Sequence, residues 1–229
     1  MKKLIFITGD KGGVGKSFTS RIIADFLIEG NQTVHLFDTD RANATFFRFY
    51  PEIVNCIDVE NTDDLDELLT KIQENDGIFL VDCAARTLEA IQKWAEEVDL
   101  FSIQEELELK ISVVFLLGPE KDCVQILNDV VVDLKNRVDY VIVKNEGKGK
   151  NFQIFENSKL RTRLLDDLNS KEISLPQLTE KTVLVMDQKN ITFKAAQEGG
   201  SLQIADRQRV KNYRARVRLI LKDAGILDE

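Results

Sequence analysis

Seven consecutive residues, Lys11-Gly12-Gly13-Val14-Gly15-Lys16-Ser17, combine three glycines, two lysines and a closing hydroxyl. Phosphate groups need several backbone N–H groups converging on them, and side chains would obstruct that approach. Glycines therefore line such a turn. The helix that follows adds the positive end of its dipole. Lys16 is then placed for the β- and γ-phosphates of a nucleotide, and the Ser17 hydroxyl for one Mg2+ position. The plainer reading is a glycine-rich turn between a strand and a helix. The Gly-Lys-Ser ending and both flanks speak against it. The strict pattern has glycine at position 10, where this chain has Asp10, and adds Lys11 at the start of the loop.

Carboxylates follow at two predicted strand ends, Asp38 and Asp40 in Asp38-Thr39-Asp40, and Asp82 before Cys83-Ala84-Ala85. In a parallel sheet all three share an edge with the phosphate loop. A Mg-nucleotide site needs carboxylates there, usually holding the metal through water. By spacing alone Asp82 reads as the metal-supporting aspartate; the alternative is a capping Asp at a strand-to-loop turn.

The elements that must position these groups alternate in type. Short apolar or β-branched runs predict strands over 4–8, 33–37, 56–59, 78–81, 111–117, 140–143 and 173–175. Amphipathic spacing predicts helices over 16–29, 63–74, 88–98, 122–134, 157–168 and 205–224. Alternation of this kind predicts an α/β fold, a P-loop NTPase with a mainly parallel twisted sheet and helices on both faces. Ligands of such sheets lie at the carboxyl ends of the strands. The 229 residues fit a single domain over 1–229, with no repeat and no linker. The one flexible-looking loop covers 146–151.

Hydrophobic residues make up 43% and charged residues 31%, which excludes the disordered and membrane-spanning classes. The apolar run after Lys2 and Lys3 is too short for a signal peptide and reads as a buried strand. Cys56, Cys83 and Cys123 are far apart, and His35 is the one histidine. A disulfide framework or zinc site is not expected, and a cytoplasmic location is. The net charge of −8 argues against nucleic acid as a partner, except that positive charge is concentrated near the C-terminus.

The Lys-Gly-Gly-Val-Gly-Lys-Ser string resembles the deviant Walker A loop of the ParA/MinD superfamily of ATPases. The resemblance implies that residues Gly12, Gly13, Val14, Gly15, Lys16, Ser17 and Phe18 bind ATP. It implies that Lys11 reaches across an ATP-bound homodimer to the partner's phosphates, a catalytic role shared with Lys16 in cis. It implies that Asp38 supports the Mg2+ shell, together with Ser17 and Asp82, and that Asp40 orients the attacking water. It implies that Asn145, after the strand over 140–143, hydrogen-bonds adenine; the alternative is a turn Asn. Residues 82–87 become the segment that senses the terminal phosphate, although Ala84-Ala85-Arg86 stands where members often carry a proline pair. Arg41 replaces the proline of the commonest partition pattern. The run to Phe46-Phe47 is closer to ParA-like proteins of plasmid mobilization and conjugation regions.

In the final predicted helix Val210, Tyr213, Val217, Ile220, Leu221 and Ala224 recur at core spacing. Arg207, Lys211, Arg214, Arg218 and Lys222 form a second stripe. Three readings stay open for it. It is a solvated face suited to the macrodipole, a sequence-nonspecific DNA-binding surface like that of partition ATPases, or a membrane-surface helix like that of MinD-like members. Acid in the last residues and the lack of an aromatic anchor disfavour the membrane. The loop starts so near Met1 that no helix-turn-helix precedes it, so operator binding is not expected. The resemblance thus implies a ParA-like positioning, partition or mobilization ATPase, nucleoid-associated through nonspecific DNA, with an unidentified stimulating or adaptor protein. A MinD-like membrane-associated ATPase and a metabolic P-loop enzyme remain as alternatives. An iron–sulfur carrier would need bridging cysteines, and a tyrosine kinase a tyrosine-rich tail.

Overall fold

The computed structural model describes residues 2–9, 11–85 and 87–227. Asp10 and Arg86, to which the sequence reading gave a place in the loop and in the phosphate-sensing segment, lie outside the described residues.

Seven strands form one sheet in the order β3-β2-β4-β1-β5-β6-β7. They are β1 (Lys2–Gly9), β2 (Val34–Asp38), β3 (Val54–Cys56), β4 (Gly77–Asp82), β5 (Leu109–Leu117), β6 (Asp139–Asn145) and β7 (Lys171–Leu175). Every pairing is parallel. A sheet of this kind is buried on both faces, which is why its strands read as near-continuous apolar runs. Strand β1 shows how the layers divide. Leu4 and Phe6 pack into one core with α3 (Thr62–Glu74), α4 (Thr87–Glu97) and α6 (Lys121–Leu134). Ile5 and Ile7 point the other way, toward α1 (Lys16–Glu29), α10 (Phe193–Glu198) and α11 (Ile204–Asp223). The two-residue period of a strand is sufficient to feed both cores.

The register brings the site together. Asp38 of β2 pairs with Asp82 of β4, and Asp82 with Ile7 of β1, two residues before the end of β1. Both strand-end aspartates thus lie at the carboxyl edge where α1 opens, as the alternation predicted.

Several predicted elements change. The helix expected over 157–168 forms α8 (Lys159–Thr162) and a π-helical turn, Arg163–Asp167, and a separate short helix, α7 (Gln153–Glu156), precedes it. Ser158 starts α8 by accepting the Arg161 N–H at 3.1 Å. The strand expected over 56–59 sits earlier, as β3. Five short helices were not foreseen: α2 (Thr45–Phe49), α5 (Leu100–Ile103), α7, α9 (Glu180–Gln188) and α10. Among the described residues no helix is long and apolar enough to cross a membrane.

Candidate nucleotide site

Between β1 and α1 the chain turns through Gly13 at φ +82° and Gly15 at φ +106°, values that L side chains rarely adopt. Thr19 is the amide that closes onto Gly15 O, at 2.9 Å. The amides of Lys16, Ser17 and Phe18 lie in the first helical turn, where the helix itself supplies no acceptor. They face a cleft of about 480 Å3 lined by Gly12, Gly13, Gly15, Lys16, Ser17, Phe18, Asp40, Asp82 and the segment through Thr45 and Arg48. Its volume and its donors suit the phosphates of a nucleotide.

Lys16 is buried, and its ammonium donates to Lys11 O at 2.9 Å. Asp82 is also buried. It accepts from Ser20 Oγ at 2.9 Å, and the Ser17 hydroxyl is near enough to pull its carboxyl down. Burial pushes its carboxyl up to about 7, against the pull of those hydroxyls and of Lys16. Ser17 and Asp82 thus form a hydroxyl–carboxylate pair at the cleft, an oxygen donor set that fits Mg2+.

The second lysine points elsewhere. Lys11 is half exposed and its ammonium pairs with Asp122, the second residue of α6, at 3.2 Å. It is not among the residues that line the cleft. Of the two lysines, Lys16 lines the cleft and Lys11 does not.

Asp38 departs from its expected place. It is 1% exposed and does not line the cleft. One carboxylate oxygen accepts the Asp40 amide at 2.9 Å, and the other accepts the Phe46 and Phe47 amides at 2.9 and 3.1 Å. Its carboxyl is raised by burial, against those three amides. With three backbone donors on its two oxygens, Asp38 organises the 38–47 segment. Asp40 lines the cleft and accepts from the backbone and side chain of Asn43.

Asn145 lies under the phosphate loop. Its Nδ2 donates to Val14 O at 2.7 Å, and its Oδ1 accepts the Gly147 amide at 3.0 Å. Both ends of the amide are engaged within the protein in this arrangement, which braces the loop.

Thr39 escaped the sequence reading. Its amide and hydroxyl both donate to Asp82 O, at 3.0 and 3.2 Å, and its hydroxyl accepts the Ala84 amide at 2.7 Å. It stitches the end of β2 to the segment after Asp82. Between two aspartates it reads as a spacer, and its partners lie more than forty positions away.

The basic stripe of α11 needs correction. Arg214 is 4% exposed, with its guanidinium 2.9 Å from both Asp25 and Glu29 of α1 and 2.7 Å from the Gln197 oxygen. Arg218 pairs with the same Glu29. Neither belongs to an open phosphate-binding face, because the acids of α1 already hold them. Arg207 stays half-buried, and Lys211 and Lys222 are exposed. The apolar stripe does face the core: Val210, Tyr213, Val217 and Leu221 are buried.

No family model matches the chain. Protein MobD of Acidithiobacillus ferrooxidans is 24% identical over 234 residues, covering 100% of this chain and 99% of that protein. Protein TraL of Escherichia coli is 26% identical over 247 residues, with 99% and 100% covered. Among solved structures, the septum site-determining protein MinD of Pyrococcus horikoshii, complexed with Mg-ADP, superposes with a TM-score of 0.58 at 14% identity, covering 95% and 96% of the two chains. A putative plasmid partition protein of Borrelia burgdorferi bound to AMPPNP gives 0.54 at 15%, covering 97% and 100%. These structural likenesses speak for the fold, and the loop with its extra lysine and the full-length sequence relatives speak for descent. The chain thus has the fold of MinD and of the plasmid partition protein, and it is similar along its whole length to MobD and TraL.

Proposed function

We propose that this chain is a cytoplasmic ParA-like ATPase. ATP assembles it into a homodimer that binds DNA without sequence preference, and hydrolysis releases it, in the service of plasmid partition, mobilization or cargo positioning. The observation that carries the proposal is the division of labour between the two loop lysines. Lys16 lies in the cleft, while Lys11 stands on its rim against Asp122. The exposed Lys11–Asp122 pair contributes roughly 1 kcal/mol or less, and a cation on the rim lies where a phosphate group across a dimer interface would meet it. A cation supplied in trans would couple dimerisation to ATP.

Within one chain, Lys16 exchanges the Lys11 carbonyl for phosphate oxygens. Ser17 and Asp82 hold Mg2+, which neutralises phosphate charge when bound. Asp40 orients a water, a positioning role that suits a weak base beside polyphosphate. Asn145 holds the loop and presents its remaining N–H toward the base. An adaptor protein sets the rate of turnover.

DNA contact rests on Arg207, Lys211 and Lys222 without Arg214 and Arg218. Random-sequence DNA should bind in the presence of ATP and not of ADP. With about four to six phosphate contacts per dimer, affinity should fall on the order of 100- to 1000-fold between about 50 and 200 mM salt. Binding that ignores salt or nucleotide, or no binding at all, would remove DNA from the proposal and turn attention to a metabolic or membrane-associated role.

A further inference from the structure

Four cations flank the phosphate loop and the segment after β2. Three have evident partners: Lys11 with Asp122, Arg41 with Asp58 at 2.5 Å, and Lys16 with the loop itself. The fourth, Arg48, is exposed and lines the cleft, and its guanidinium makes no hydrogen bond or ion pair with any other described residue. Lys16 and Arg48 are the cations among the residues that line this cleft.

Arg48 is also held at that place by its helix. Phe46 and Phe49 of α2 are buried in the core. The Asp38 carboxylate fixes the first amides of α2, and the Arg21 guanidinium lies 3.8 Å from the centre of the Phe49 ring. The Tyr50 hydroxyl, just past α2, donates to Arg21 O at 3.1 Å. With that face locked, Thr45 and Arg48, three residues apart, share the adjoining face and line the cleft. A free surface arginine would show no such mounting.

We infer that Arg48 recognises the terminal phosphate of ATP in cis, so that the cleft distinguishes a triphosphate from a diphosphate. This rests on the nucleotide-binding reading above. A guanidinium is a planar fork of donors matched to phosphate oxygens. Lys16 approaches the phosphates from the loop side and Arg48 from the α2 side. A diphosphate is held by the loop alone, and only a third phosphate extends toward α2. The same contact ties nucleotide state to the 38–48 segment, which carries Asp40.

The test is binding of ATPγS and ADP, each with Mg2+, to the wild-type chain, Arg48→Ala, Arg48→Lys and the control Arg41→Ala, with melting temperature measured for each. Arg48→Ala should weaken ATPγS by about tenfold or more and ADP by less than about twofold, as expected for losing one charge-assisted contact to phosphate. Arg48→Lys should recover part of the loss, and Arg41→Ala should match wild type. Equal losses for both nucleotides, or no loss for either, would overturn the assignment while leaving the nucleotide site intact. A wild-type chain that binds neither nucleotide would overturn the underlying reading instead.

Discussion

Gly15→Ala is expected to weaken nucleotide binding by about 100-fold or more, the equivalent of two lost charge-assisted hydrogen bonds. Two independent effects act at this position. The backbone stands at φ +106°, where an L side chain costs about 1–2 kcal/mol. A Cβ there would also lie 2.4 Å from Asn145 Nδ2. Asn145 cannot retreat without giving up Val14 O, which it holds at 2.7 Å. Either the loop opens or the brace breaks, and the amides of Lys16 and Ser17 lose their aim in both cases. The folded chain should lose about 2–3 kcal/mol, adding the backbone strain to one broken hydrogen bond. Adding Asn145→Ala removes the steric part and should restore some affinity, a non-additive pair. Titration with a fluorescent ADP analogue and urea unfolding read both effects. Unaltered affinity in Gly15→Ala would show that the loop does not hold phosphate.

The second large effect concerns stability. Arg214→Ala should cost about 3–5 kcal/mol, because it strands a buried carboxylate. Asp25 is 4% exposed, and burial already raises its carboxyl above the usual range. Arg214 is the main influence opposing that rise. Its guanidinium also reaches Glu29 and Gln197, so it joins α11 and α10 to the helix that begins at Lys16. Replacing Asp25 by Asn in the same chain should recover a large part, since a neutral amide needs no counter-charge. Chemical denaturation checks this. A loss below about 1 kcal/mol is what a solvated arginine on an exposed stripe would give, and would contradict the burial described here.

Local signals carried much of the site. The run from Lys11 to Ser17 and the aspartate closing β4 are each defined by neighbours within a few residues, and the strand-then-helix context is equally local. The amide partners of Asp38 and the burial of Arg214 were not legible, for one shared reason. Asp38 is saturated by amides eight and nine residues on, in a five-residue helix with too few positions to show a period. Arg214 meets acids 185 and more positions away, and spacing along α11 alone cannot tell a cation facing α1 from one facing water. The π turn after α8 has the same apolar spacing as a continuous helix, so 157–168 reads as one element. Helices α9 and α10 are short and owe their place to the α1 and α11 core, through Met186, Phe193 and Ala196.

The most direct test is sedimentation velocity of the wild-type chain with Mg2+ and either ATPγS or ADP, run beside Lys11→Ala. The proposal predicts a dimer with ATPγS, a monomer with ADP, and a variant that binds ATPγS yet remains monomeric. A wild-type chain that stays monomeric with both nucleotides, or a variant that dimerises as well as wild type, would contradict the role given to Lys11.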